Sequence, residues 1–432
     1  MTRVVALCFL IFVCLAFVGT SPLLELSDPT LEESGTGDII RQVAFLCLTS
    51  IVTIPLLFKG SLRLYEMFTP SILLVLTWCL ISIAWSPVPD IALRRFVLTA
   101  VAILCMFGAT VWLGHRALKL FAMALLALVL LSIVAGALIP GARHQAWVGQ
   151  DPGLIGAWRG LFPHKNTAGP CSALLVILSV FMIVIERRKI WFLGVFAGLC
   201  LLYASGSKTA LGLLVPALVV GLLFPYFLRY RNGRRIYIGF CLSVLWGVLL
   251  AGVAFQDQLA GLLVDPDAFT GRTQIWNVLM EAVADRPWIG FGFGSLFLVS
   301  TETPLLDYAS GWVLLVVHGH NGYLDVLAAT GIVGLVLTLF AFVVQPLYRL
   351  IVTEAFDPRW VGLLMSLAAY VLLHNMTETA LLDRAQPLWL ALLLVVAATR
   401  DMEREFAAVH LRSGAPPDRR LSQRASTRSC SL

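Results

Sequence analysis

Charge is scarce in this chain of 432 residues: Asp, Glu, Lys and Arg make up 13% of it, while 59% is hydrophobic. Soluble domains carry roughly a quarter charged residues and about half apolar ones, so an ordinary soluble domain is excluded. Alternating apolar and polar residues are also missing. The apolar runs are continuous over about 17–25 residues, which excludes a β-barrel and is long enough for helices to cross a hydrocarbon core. The nine cysteines contain no Cys-x-x-Cys pair. Eight of them (8, 14, 47, 79, 105, 171, 200 and 241) lie in or beside apolar runs, and Cys430 lies near the end. A thiolate metal site and a disulfide framework are both disfavoured, and small apolar packing residues suffice as an explanation. A nucleotide-binding domain is lacking as well: "GFGFG" at 290–294 does not follow a strand in a βαβ unit. The lone "DPD" at 265–267 is too short to stand as a metal-binding pair.

What is present is an all-α polytopic membrane pattern of about twelve transmembrane helices. The expected spans are 4–20, 39–58, 68–85, 94–113, 117–139, 167–185, 190–205, 210–228, 236–255, 322–347, 360–377 and 386–400. The first could be read as a signal peptide, but Gly19, Thr20, Ser21 and Pro22 make a poor small-residue cleavage site. With the N-terminus inside, the inner loops and tail, with Arg3 included, hold 21 of the 31 Lys and Arg residues, and the outer side holds 17 of the 25 acidic ones. That bias fixes the expected orientation, with both termini cytoplasmic. The net charge of +6 is then inner-leaflet anchoring and gives no reason to expect nucleic acid. The expected organisation is N-terminal transmembrane helices over 1–139, a catalytic core over 140–347, C-terminal helices over 348–400 and a disordered cytoplasmic tail over 401–432.

Two connections in the core are long, 140–166 and 256–321, and both fall outside, where a polytopic protein can build a site. The first ends in "WRGLFPHKNTAG" at 158–169, which gathers Arg159, His164, Lys165 and Asn166. Basic residues on the outer side run against the orientation rule and suggest an anionic ligand, although interfacial snorkelling would place them there too, with Trp158 and Phe162 as belt aromatics. Lys208 sits in the tight outer turn "ASGSKTALG" at 204–212. In the second loop, Thr270 is a helix-cap candidate. Ile275, Trp276, Leu279 and Val283 then recur at helical spacing, which predicts an amphipathic helix at the interface. Arg272 falls in its first turn, where the helix dipole disfavours a cation. His318, His320 and Asn321 stand at the outer mouth of the tenth span, and "HNMTE" at 374–378 brings Glu378 to the outer end of the eleventh. An imidazole there can accept a proton from a sugar hydroxyl near neutral pH.

His320-Asn321, nine residues, Gly331, two residues and Gly334 resemble the His-[Asn/Ser/Gln]-x9-Gly-x-x-[Gly/Thr/Tyr] pattern of the O-antigen ligase and polysaccharide polymerase superfamily (WaaL/Wzy-type). "GRTQIW" with "PWIGFGFG" resembles the region upstream of that histidine, while "RGLFPHKNTAG" and "SGSKTALG" look most like the ExoQ-like exopolysaccharide polymerases. The resemblance covers roughly residues 150–345 with its motifs in order. Two departures stand out: Lys208 occupies a turn where ligases carry arginine, and the ligase Arg-x3-Leu element is matched only as Arg272-x3-Trp276.

The resemblance implies a GT-C-like, inverting glycosyltransferase of the bacterial inner membrane that needs no metal and no cofactor. Its donor would be an oligosaccharide on undecaprenyl pyrophosphate, and it would lengthen exopolysaccharide at the periplasmic face. His320 would be the general base. Arg159, Lys208, Arg272 and Lys165 would hold the diphosphate. Asn321, His164, Asn166, His318 and Glu378 would bind or orient substrate. Expected partners are the lipid-linked donor, a glycan acceptor, membrane lipid, and a chain-length regulator with other polysaccharide-export proteins. The nearest alternative is a ligase passing finished glycan to lipid A core or protein. A lipid-linked sugar transporter or flippase would place polar groups through the membrane depth, whereas the charges here gather on one outer face.

Overall fold

The computed structural model describes residues 1–20, 22–23, 38–58, 60–144, 155–258, 261, 271–297, 303–353 and 356–413. Asp265, Asp267, Thr270 and the chain beyond Ser413 lie outside the described residues. The principal helices are α1 (Thr2–Val18), α2 (Ile39–Phe58), α3 (Pro70–Ser82), α4 (Pro89–Leu113), α5 (Arg116–Leu138), α6 (Lys165–Glu186) and α7 (Ile190–Ala204). They continue as α8 (Lys208–Phe227), α9 (Gly233–Ala254), α10 (Arg272–Asp285), α11 (Gly322–Val352), α12 (Pro358–His374) and α13 (Pro387–Ser413). Among the described residues the only β-type pairing is a single bridge between Arg143 and Trp158.

Seven of these helices, α2, α4, α5, α6, α8, α9 and α11, are long and apolar enough to cross a membrane, and α1, α3 and α7 are shorter apolar helices. The protein is therefore an all-helical, multi-pass membrane protein. Each of the twelve intervals expected to span coincides with one helix, and α10 is the extra one. The last of them runs further than expected. The tail drawn as unstructured from 401 remains helical to Ser413. Its charges hold it against the bundle: Glu403 bridges Arg349 and Arg400, and Arg404 reaches Glu66.

At the centre stands α6, whose residues Ala168 to Ser179 are all buried between α7, α8 and α12. Alanine, glycine and serine on its face let neighbours approach closely, as membrane helices require in the absence of a hydrophobic driving force between them. Ser366 of α12, for instance, donates to the Ala217 carbonyl of α8 at 2.8 Å. By contrast, α9 leaves Leu242, Trp246, Val248, Leu250 and Val253 exposed, a surface suited to lipid.

One long helix is broken on purpose. Gly331 in α11 has φ 70° and ψ −178°, outside the helical region. The gap is filled by residues 287–292: Phe291 and Gly292 donate to the carbonyls of Ala328 and Ala329, while Ile332 donates to Pro287 O at 2.8 Å. A side chain at Gly331 would collide with the Trp288 carbonyl, and one at Gly290 would strike the Ala328–Ala329 backbone. "PWIGFGFG" and the glycine of the x9-Gly pattern are therefore one structural unit, with each strip of backbone satisfying the other's hydrogen bonds.

Candidate active site

Four chain segments remote in sequence deliver side chains to one end of the helical array. The first is the start of α6. His164 caps this helix, its Nδ1 accepting from the Asn166 N–H at 3.1 Å. Beside it His144 packs edge-on at 4.6 Å between ring centres and accepts from the Lys165 N–H through Nε2 at 3.2 Å. The second is the start of α10, where Gly271 in left-handed conformation precedes Arg272. As expected this helix is amphipathic, and Ile275, Leu279, Ala282 and Val283 pack on Phe291, Leu296 and Leu324. Its Trp276 donates to Gly319 O at 3.0 Å, tying it to the third segment.

That third segment is the turn 318–321 before α11. Asn321 caps α11 with its Oδ1, accepting from Tyr323 and Leu324 N–H at 3.1 Å each. His320 adopts φ 51°, a left-handed conformation that is uncommon outside glycine and costs about 1–2 kcal/mol. Asp325, one turn into α11, holds it there. Both its oxygens accept from Gly319 N–H at 3.1 Å, and Oδ2 also accepts from the Thr379 hydroxyl. The fourth segment is the turn after α12, shaped by Asn375, whose Oδ1 accepts from Ala380 and Leu381 N–H.

Glu378 in this last turn is where the four meet. Its Oε1 accepts from Arg272 Nη2 at 2.5 Å and from Asn166 Nδ2 at 3.0 Å, while Oε2 lies 2.9 Å from His320 Nδ1. Arg272 also donates to the Thr377 carbonyl. Burial pushes the Glu378 carboxyl up, but the His320 hydrogen bond and the positive charge of Arg272 outweigh that and hold it at about 2. The carboxylate is therefore ionised and can only accept. The proton between it and His320 belongs on Nδ1, which leaves the Nε2 lone pair of a neutral His320 free to act as a base. The His320 side chain keeps 21% of its surface exposed, enough to meet a substrate. His318 packs on His320 at 4.2 Å, and its Nδ1 faces the His320 N–H at 3.4 Å. Burial, and then the neighbouring imidazole, lower His318 to about 4; burial and His144 do the same to His164. Both stay neutral near pH 7.

The remaining expected residues divide. Lys208 is exposed at the start of α8, at the same end, its turn packed on α6 where Ser207 meets Gly169. Lys165 is half-buried at the first position of α6. Arg159 is different: it is 2% exposed and donates to the carbonyls of Leu23, Gly141 and Phe162. These bonds tie Leu23, Gly141 and Phe162 together through one guanidinium, a structural role alongside the diphosphate role expected of it. Phe162 is fully buried rather than a belt aromatic. Asn321 spends its carbonyl oxygen on the helix cap, so it shapes the turn that presents His320. Sequence reasoning passed over His144 and Asp325. Asp325 did carry a signal, being an ionisable residue in an apolar run.

His318, His320 and Glu378 could together offer three donor atoms to a metal ion, all within 4.8 Å of one another. Both oxygens of Glu378 already accept hydrogen bonds, Oε1 from Arg272 and Asn166 and Oε2 from His320.

A family model described as O-antigen ligase matches residues 193–339. The exopolysaccharide production protein ExoQ of Rhizobium meliloti is 25% identical over 322 residues, covering 69% of this chain and 70% of that protein. An O-antigen ligase of Pseudomonas aeruginosa is 28% identical over 162 residues, 33% of this chain and 37% of its own length. The matched chemistry is that of a membrane enzyme of the glycosyltransferase type. Within that class, the chain is similar to the O-antigen ligase family over residues 193–339 and to ExoQ over much of its length, which is the resemblance read from its motifs.

Proposed function

We propose that the chain is an inverting, metal-independent, GT-C-like glycosyltransferase that joins exopolysaccharide repeat units at the periplasmic face of a bacterial inner membrane. Twelve helices would span and both termini would be cytoplasmic, with α10 lying outside. The donor is an oligosaccharide on undecaprenyl pyrophosphate; the acceptor is a hydroxyl of another glycan.

The observation that carries this reading is the Glu378–His320 pair. His320 Nε2 takes the proton of the acceptor hydroxyl as its oxygen attacks the anomeric carbon, and Glu378 stabilises the imidazolium that results. The bond to the lipid diphosphate breaks on the opposite face, inverting the centre. Negative charge grows on the leaving phosphate, and Arg272, Lys208 and Lys165 are the cations available to meet it. Arg272 links the two halves, since the carboxylate that orients the base also aims the guanidinium. One fixed organic cation at this point does the electrostatic work that a divalent ion does in other transferases.

The second reading, ligation of finished glycan, is favoured by the family model's own description and by the Pseudomonas relative. Size analysis of lipid-linked glycan in a strain expressing only His320→Ala separates the two. Accumulated single repeats mean polymerisation, and accumulated long lipid-linked chains mean ligation. Glycan of normal length and destination in that strain would remove His320 from the mechanism.

A further inference from the structure

The end of the array opposite Glu378 holds a second convergence. His115 lies in the turn between α4 and α5, and Asp401 and Glu405 lie four residues apart on α13, so one helix face presents both carboxylates to the turn. One ligand atom from each of the three lies within 4.8 Å of the others. Three further observations set this group apart. First, the other described carboxylates at this end have a Lys or Arg nitrogen within ion-pair distance: Glu186 has Lys119, Glu403 has Arg349 and Arg400, Glu66 has Arg404 and Asp357 has Arg359. Among the described residues no such pair closes on Asp401 or Glu405: Arg404 and Arg63 act on Asp401 only from beyond ion-pair distance, and the two like charges stand a turn apart. Second, Gly114 ends α4 with φ 55°, and the Asp401 carboxylate sits 3.2 Å from where a Cβ would be, so the glycine makes room for it. Third, His115 is braced by the Trp360 ring at 4.6 Å, which fixes its direction.

We infer that His115, Asp401 and Glu405 form a binding site for a divalent ion of the zinc class. One imidazole and two carboxylates are a borderline ligand set with three protein donors, which suits Zn²⁺ with water in the fourth position. Mg²⁺ or Ca²⁺ would call for more oxygen donors. Tetrahedral coordination needs donor atoms about 3.4 Å apart, so the ion draws in whichever of the three stand further apart than that, with Glu405 exposed and able to move. Two positive charges cancel the two carboxylates. The ion then clips the helical extension of α13 to the α4–α5 turn, a contact between distant parts of the chain. The site is independent of the glycosyl-transfer chemistry proposed above.

The test uses full-length protein in detergent without a polyhistidine tag. Titration with Co²⁺ should give visible d–d absorption saturating at one equivalent, and Zn²⁺ should abolish it by competition. His115→Ala and Asp401→Asn should each weaken binding by at least about 100-fold. Glu405→Gln, at an exposed position that does not endanger folding, should weaken it by at least about 10-fold. His320→Ala should leave it unchanged, which separates this site from the His318–His320–Glu378 cluster. Zn²⁺ should raise the melting temperature of the wild type and not that of His115→Ala. Absence of saturable Co²⁺ absorption, binding unaffected by Glu405→Gln, or binding lost only in His320→Ala would each overturn the assignment.

Discussion

The two ends of this molecule use charge in opposite ways. At the end carrying α4–α5 and α13, acids and bases mostly meet in pairs or short local runs, as in Lys119–Glu186 and Arg359–Asp357, with side chains that stay partly exposed. At the other end one carboxylate, Glu378, with a side chain 12% exposed, gathers an arginine, an asparagine and a histidine from three different segments. Pairs spread along a surface hold helices in place and can be lost one at a time. A convergence on one buried atom group fixes relative positions to a fraction of an ångström, which reaction geometry demands and anchoring does not. Buried clusters are also unforgiving, since removing one partner leaves the others desolvated and unpaired.

That contrast is broken most directly by Glu378→Gln. The amide can still accept from Nδ1–H, but the negative charge that stabilises imidazolium is gone and Arg272 loses its counter-charge. Glycan transfer in membranes should fall by about 10²–10⁴-fold with the protein still inserted. Loss below tenfold would mean that Glu378 only packs. Next comes Arg159→Ala, which should act on stability rather than rate. Three carbonyls would be left without their donor, and the cost should be about 2–5 kcal/mol. The measurement is the amount of folded protein by size-exclusion in detergent, together with the turnover of what remains. Abundant, folded and inactive protein would return Arg159 to the substrate. Smaller again is Asp325→Asn. The amide must turn a donor towards either Gly319 N–H or the Thr379 hydroxyl, loosening the His320 turn. The rate should drop by about 10–100-fold while donor KM holds, and the pH–rate profile should move, which a purely structural loss of active protein would not do.

Much of the candidate site was legible from residue types because polar groups in an apolar chain have few places to hide. His320, Arg272, Asn166 and Glu378 were each singled out, and Arg272 stood out because it sat at the wrong end of its helix dipole. Which groups meet was less visible: Glu378 follows a span with no periodicity to mark it, and only the folding of α12 beside α11 brings it to His320. Arg159 reads two ways for a physical reason. A basic residue on the outer side reads as an anion site, yet a guanidinium's five donors serve backbone carbonyls equally well, and nothing in "WRGLFP" says which. The fold showed a similar split. Helix positions follow from apolar length, whereas the break at Gly331 depends on a segment some forty residues earlier supplying the missing hydrogen bonds. A span with two glycines looked continuous until that segment was placed beside it.

Lys119→Ala should have the smallest effect, and its smallness is what the comparison requires. The pair with Glu186 is short at 2.6 Å, but both side chains stay partly exposed, at 29% and 20%. Solvent screening and the entropy of two long side chains leave such a pair worth roughly 0.2–1 kcal/mol. Glu186 also keeps a second partner, Trp191 Nε1, at 3.0 Å, so the acid is not orphaned. The melting temperature in detergent should therefore shift by no more than about 1–2 °C, and glycan transfer should remain within about twofold of the wild type. A tenfold loss of transfer with unchanged melting would require the pairs at this end to bias the Glu378 cluster across the length of α6, and the two ends could then no longer be treated as separate.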